Sequence, residues 1–219
     1  MPRRPRRCTG GLVFHVMNRA ARRVTLFEDS ADYDLFSDTL REAVERFDMR
    51  LLCYVVMPNH WHLVVWPSGD QHLSSFMAWM TAAHVRRWHH RRDSAGSGTL
   101  YQGRYKAVAV QADAHFYTVC RYVERNPVRA GLARRPGDWP WGSASQEGRS
   151  VAPALCEWPI ARPGDWSEVV ECEQAPEELI ALRRAIRRSR PVGAESWVLE
   201  TAGALRWTTG LRRPGRPRR

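Results

Sequence analysis

Two histidines one residue apart, His60 and His62, sit in the stretch Val55-Val56-Met57-Pro58-Asn59-His60-Trp61-His62-Leu63-Val64-Val65-Trp66. Side chains of a β-strand alternate between its faces, so the pair projects from one face while Trp61 turns to the other. Neutral imidazole is a common ligand for divalent metals, and two held side by side on a strand make half of a metal site. The same pair also suits a half-solvated sheet surface, where it needs no ligand. The strand is apolar enough to be central, however, and buried imidazoles need partners. A divalent ion is one such partner.

A second group lies about 60 residues further on. Asp113 is placed to cap a helix in which Phe116, Val119, Cys120 and Val123 form an apolar stripe. Thr118, Tyr122 and Asn126 follow one another at four-residue spacing on a neighbouring, more polar face, and Pro127 ends the helix. If this helix covers an open sheet face, the Tyr122 hydroxyl and the Asn126 amide oxygen reach the metal held by His60 and His62. Taken singly, Tyr122 also reads as a half-buried aromatic and Asn126 as a helix C-cap. Glu124, two residues from Tyr122, points elsewhere on a helix and reads as a surface or DNA-side residue.

The elements that must position these groups alternate regularly. Gly11 to Met17 reads as a first strand, followed by a basic turn, Asn18-Arg19-Ala20-Ala21-Arg22-Arg23. Ser30 or Asp32 caps a helix carrying Phe36, Leu40, Val44 and Phe47. Strands at 51–57 and 61–66 flank the Pro-Asn turn. Leu73, Phe76, Met77, Met80, Val85 and Trp88 mark a second amphipathic helix, and 105–110 a fourth strand. Strand, helix, strand, strand, helix, strand is the order of a ferredoxin-like α+β antiparallel sheet with both helices on one face. The other face stays free for the tyrosine-bearing helix.

With 219 residues the chain can bury one good core and carry an extension. No apolar run is long enough to cross a bilayer, and the basic N-terminal arm is not followed by an apolar signal region, so the expectation is a cytoplasmic protein with no membrane partner. Five dispersed cysteines, none in a Cys-x-x-Cys pair, argue for reduced thiols rather than structural zinc or disulfides. The 34 basic against 23 acidic residues give a net charge of +11, which favours polyanionic partners such as nucleic acid. From Arg183 onward eleven arginines face only Glu195 and Glu200, so most of the excess lies in a basic C-terminal extension. Helices are expected over 176–188 and near 197–205. The tail Arg213-Pro214-Gly215-Arg216-Pro217-Arg218-Arg219 is similar to an AT-hook, and equally suits a solvating tail. The basic, aromatic stretch from Arg86 to Arg92 reads either as a solvated helix end or as a phosphate- and base-contacting one.

Pro58-Asn59-His60-Trp61-His62 together with Arg121-Tyr122-Val123-Glu124-Arg125-Asn126-Pro127-Val128-Arg129-Ala130-Gly131-Leu132 resemble the HUH single-tyrosine transposases, and more closely the REP-associated tyrosine transposases. Asn18-Arg19, Leu100 to Arg104 and Asp138 to Ser143 extend the resemblance across 11–145. It implies a catalytic domain over 1–145, with 146–219 as a Pro/Trp-rich wrap and helical-to-disordered DNA-binding extension. It also implies a divalent metal, Mg²⁺ or Mn²⁺, held by His60, His62 and, as third ligand, Asn126, where mobile members of the wider group often carry glutamine. Tyr122 would be the nucleophile that cleaves and rejoins single-stranded or hairpin DNA through a covalent 5′-phosphotyrosine. DNA contacts are expected from Arg19, Arg22 and Arg23, from Arg86, Arg87, Arg104 and Lys106, from Arg125 and Arg129, and from Arg213, Arg216 and Arg218. Such a protein is expected to be nucleoid-associated and a monomer or homodimer.

That chemistry is physically sensible. A phenol with an ordinary pKa of about 10 is a weak nucleophile at pH 7, and a metal on the phosphate oxygens neutralises developing charge and orients the phosphorus. A covalent intermediate conserves the bond energy, so strands rejoin without ATP. The alternative is a non-catalytic nucleic-acid-binding module on an RRM-like sheet, but the RRM aromatic signature is missing. A water-using phosphoesterase would keep the histidines and have no need of Tyr122.

Overall fold

The computed structural model describes residues 8–94, 98–145 and 152–207. Along the chain, β1 (Val13–Arg19), α1 (Ser30–Phe47), β2 (Arg50–Met57), β3 (His60–Trp66), α2 (His72–Arg91) and β4 (Lys106–Val110) follow the expected order. The four strands form one fully antiparallel sheet in the order β2-β3-β1-β4, the ferredoxin-like arrangement. The period of two then separates two cores. Phe14, Val16, Val56, Trp61, Leu63 and Val65 meet Phe36, Leu40, Phe76 and Met80 of α1 and α2 on one face. Burial of each of these large side chains contributes about 1.5–3 kcal/mol. On the other face Val13, Cys53, Val55, Met57, Val64, Val108 and Val110 meet α3 (Ala114–Glu124), through Phe116, Val119, Cys120 and Val123.

Three local expectations change. Asp29, rather than Ser30 or Asp32, caps α1: its carboxylate accepts the Asp32 amide at 3.0 Å. Asn18 and Arg19 continue β1 instead of forming a turn, because they pair with Trp61 and His60 of β3. The chain does not stop at Asn126 either. Arg125 keeps right-handed helical angles and a further turn, α4 (Asn126–Arg129), follows, with Pro127 in its first turn, where the missing N–H is not needed.

The C-terminal segment supplies part of the second core. Trp166 and Val170 of α5 (Trp166–Glu171), Leu182 and Ile186 of α6 (Pro176–Arg188), and Val192 pack there against α3 and the sheet; α7 (Glu195–Ala204) completes the described chain. This segment and the one before it also cover both sheet edges. Val56 donates to the Trp141 carbonyl and Cys156 to that of Leu51 along β2, while Val192 donates to Ala109 and accepts from Gln111 beside β4. Covered edges offer no template for pairing with another chain.

The basic end of α2 is a structural clamp. Arg91 donates to Asp29 and to the buried carboxylate of Asp32, Arg92 donates to Asp32 as well, and the Arg92 guanidinium lies 4.2 Å over the Trp88 ring. Arg87 is held by Glu42 and Thr39 of α1. All five cysteines are free, with Cys53 and Cys120 buried. Among the described residues no helix is long and apolar enough to cross a membrane.

Candidate active site

The β1–β3 register sets Arg19 opposite His60 and Met17 opposite His62, and the β2–β3 register sets Met57 and Val55 across from the same two histidines. His60 and His62 therefore stand on the α3 face of the sheet at its centre, with ring centroids 5.1 Å apart. Tyr122, near the end of α3, presents its ring nearly perpendicular to His62 at 5.9 Å, and 9% of its surface stays exposed. The two segments singled out in the sequence thus meet face to face.

Each histidine of the pair is already engaged through Nδ1. His60 Nδ1 lies 2.7 Å from Asn59 Oδ1, an oxygen that only accepts, so His60 carries its proton on Nδ1 and leaves Nε2 free. His62 Nδ1 lies 2.8 Å from Nε2 of a third histidine, His15 of β1. Only Nε2 remains on either ring. Burial first, then Arg19 and Arg129, push the His60 pKa down to about 4. Burial and then the neighbouring His15 and His60, with the two arginines, hold His62 well below its ordinary value. Both are neutral at pH 7, the form that ligates a metal.

Asn126 lies one helical turn beyond Tyr122, half-buried, and its Nδ2 has no hydrogen-bond partner among the described residues. Among those residues no three or more His, Cys, Asp or Glu side chains are gathered to hold a metal by themselves. Two free Nε2 nitrogens fit a divalent cation whose remaining ligands are oxygens; the unpaired Nδ2 of Asn126 is a donor, so only its Oδ1 could join them.

Arg129 completes the group. Its guanidinium carbon lies 4.2 Å over the Tyr122 ring, Nη2 donates to the Tyr122 carbonyl at 2.7 Å, and Nη1 is buried without a partner among the described residues. Burial pushes its pKa down to about 10, so it remains charged at pH 7. At the Arg19 end of β1, a cleft of about 390 Å³ is lined by Met17, Asn18, Arg19, Gln102, Gly103, Arg104 and Lys106. Three of the expected DNA-contacting residues share this cleft.

A profile of the family described as "Transposase IS200 like" matches residues 8–126, more than half of the chain. The chain belongs to the IS200-like transposase family. The fold of this transposase-family chain is also that of a solved REP-associated tyrosine transposase bound to a REP hairpin, with a TM-score of 0.52 and 19% identity over 74% of this chain and 97% of that one. A putative transposase from Deinococcus radiodurans aligns over 57% of this chain and 97% of its own, at 22% identity and a TM-score of 0.40. No curated protein sequence matches.

Several of the arginines expected to contact DNA lie away from Tyr122 or are engaged within this family member. Arg125 is buried and donates to the Val170 carbonyl at 2.9 Å and to that of Glu171. Arg86 and Arg87 lie on α2, across the sheet from Tyr122. Arg22 is exposed on the turn after β1. The side chain of Arg23, together with Arg213, Arg216 and Arg218, lies outside the described residues. Glu124 is neither a surface nor a DNA-side residue. It is 3% exposed and accepts from Ser143 Oγ at 2.6 Å and Trp166 Nε1 at 2.8 Å, two donors that replace its hydration.

His15 was not picked out by its residue type or spacing. Within Val13-Phe14-His15-Val16-Met17 it is one polar residue in an apolar strand. That anomaly is the local signal; its partner follows only from the pairing of β1 with β3.

Proposed function

We propose that the chain is a divalent-metal-dependent endonuclease and strand transferase for single-stranded, hairpin-forming DNA. In this reading His60, His62 and Asn126 hold the cation and Tyr122 is the nucleophile. The observation that carries it is the meeting of the Tyr122 ring with a histidine pair whose only free nitrogens are the two Nε2.

A bound Mg²⁺ or Mn²⁺ supplies charge neutralisation and Lewis acidity at the phosphate, and the two imidazoles tilt the choice towards Mn²⁺. The protein's own residues do the rest. The Tyr122 oxygen attacks the phosphorus, the P–O3′ bond breaks, and the tyrosine proton ends on the departing 3′-hydroxyl. A 5′-phosphotyrosine results, and attack by another 3′-hydroxyl reverses the step. The free Nη1 of Arg129 serves the phosphate charge beside the tyrosine. Arg19, Arg104 and Lys106 steer the strand into their cleft. REP-type hairpins are the favoured substrate, consistent with the DNA bound to the solved transposase of this fold, and such a substrate places the protein at the nucleoid.

The test is incubation with end-labelled hairpin DNA and Mn²⁺, comparing wild type with Tyr122→Phe on a denaturing gel. A covalent protein–DNA adduct in the wild type alone is expected. Cleavage by both proteins without an adduct would replace this reading by a water-using nuclease, and binding without cleavage by a binding module.

A further inference from the structure

β1 alternates so that Val13, His15 and Met17 share the α3 face, and because Met17 stands opposite His62, His15 is the diagonal cross-strand neighbour of His62. Its side chain is almost fully buried, at 1% exposure. The His15 and His62 rings lie within 9° of parallel at 5.0 Å between centroids, joined by the 2.8 Å contact between His15 Nε2 and His62 Nδ1. Two neutral rings in this geometry share one hydrogen. If His15 donates it, the proton of His62 sits on Nε2 and that nitrogen cannot ligate. If His62 donates it, Nε2 of His62 keeps its lone pair.

We propose that His15 is a positioning residue for the metal site: its Nε2 accepts the Nδ1–H of His62, fixing the ring plane and tautomer that turn the His62 Nε2 lone pair towards a divalent cation. This rests on the metal-dependent reading above. It makes His15 the counterpart of Asn59, which does the same for His60. His15 is not itself a ligand, since its Nε2 is consumed by His62. Nor is an imidazole an arbitrary choice of acceptor. A carboxylate at this almost fully buried position would have to shed its hydration, whereas neutral imidazole orients without charge.

The other ring nitrogen of His15, the buried Nδ1, has no partner among the described residues in either tautomer, so the contact with His62 is the one hydrogen bond the ring makes there. A central strand that needed only packing at this position would be served by valine, as at Val13 and Val108 on the same face. An unpaired buried nitrogen is a standing cost, and orienting His62 accounts for it.

The experiment is Mn²⁺ titration of the DNA-free protein, followed by the EPR signal of free Mn²⁺, for wild type, His15→Leu and His15→Gln. Leucine keeps the volume and removes the acceptor; glutamine offers Oε1 in its place. Loss of an orienting partner of this kind weakens metal binding by about 10- to 100-fold. We expect that loss in His15→Leu and substantial recovery in His15→Gln. Wild type that binds Mn²⁺ while His15→Leu binds equally well overturns the inference and leaves the metal reading standing. Wild type that binds no Mn²⁺ removes the metal reading itself. Should His15→Leu not fold, ¹⁵N spectra of the histidine rings in metal-free wild-type protein decide: a proton on Nδ1 of His62 is expected, and a proton on Nε2 overturns it.

Discussion

The guanidinium carbon of Arg129 lies over the ring of Tyr122, 4.2 Å from its centroid, while Nη2 donates to the Tyr122 backbone carbonyl. One arginine thus fixes the tyrosine from two sides and still has a buried Nη1 to offer. An arginine that only gripped the DNA backbone would weaken binding uniformly and lower its salt dependence. One acting on the transferred phosphate lowers the rate at saturating DNA. We expect Arg129→Ala to cut single-turnover adduct formation by about 10²- to 10³-fold, with hairpin affinity changed far less. Arg129→Lys should recover little, because a single ammonium cannot both hold the Tyr122 carbonyl and present a second nitrogen as the guanidinium does. A normal rate at saturating DNA in Arg129→Ala would reduce Arg129 to a backbone contact.

Arg121 of α3 and Arg125, the residue that caps its C-terminus one turn further on, bind the C-terminal segment through backbone carbonyls. Arg121 Nη2 donates to Cys172 at 2.6 Å and Glu173 at 2.7 Å, and Arg125 Nη1 to Val170 at 2.9 Å. Hydrogen bonds from charged donors contribute about 1.5–3 kcal/mol each. The double variant Arg121→Ala, Arg125→Ala should therefore release α5 first. Limited proteolysis is expected to cut within 160–176 well before the sheet is attacked. Cleavage at the wild-type rate would mean that Trp166 and Val170 hold the segment without them.

What was legible in the sequence was local. Alternation on β3 placed His60 and His62 on one face, and four-residue spacing placed Tyr122 of α3 and Asn126 of α4 one turn apart; both depend only on strand and helix period. Their meeting followed from the order of elements. His15 escaped because its role depends on the register of two strands nearly fifty residues apart. The burial of Arg125 and Glu124 is not legible for a related reason: their partners, Val170, Glu171 and Trp166, come from the C-terminal segment, far along the chain. A charged residue on a helix reads as exposed until the element that covers it is known.

Glu124 offers a stability test separate from catalysis. Its carboxylate accepts from Ser143 and Trp166, tying α3 to the β2 edge segment and to α5. Glu124→Ala leaves Trp166 Nε1 without an acceptor, at a cost of about 1–3 kcal/mol, while Ser143 Oγ keeps the Tyr54 carbonyl at 3.2 Å. Glu124→Gln keeps an acceptor and should cost markedly less. Urea unfolding should place the alanine variant's midpoint clearly below that of the glutamine variant. Equal midpoints would show that water takes over the carboxylate's contacts.

His84 makes the fold acid-sensitive from the opposite face of the sheet. It is fully buried, with Nδ1 2.8 Å from the Tyr101 hydroxyl, which in turn accepts from Trp61 Nε1 at 3.0 Å. Burial pushes its pKa down to about 3, outweighing the upward pull of Asp32, while Arg92 and Arg87 add to the lowering. Above pH 6.5 His84 is neutral in both folded and unfolded chains and adds no pH dependence. Between about 6.5 and 3 the unfolded chain takes up a proton that the folded one refuses. Stability then falls with pH by about 1.4 kcal/mol per unit. The buried His15 and His60 act in the same direction. His84→Gln keeps an acceptor for Tyr101 and cannot titrate. Its loss of stability between pH 7 and pH 5, from urea unfolding at each, should be smaller than that of wild type by about 2 kcal/mol. An identical loss would mean that His84 becomes protonated inside the folded protein at pH 5.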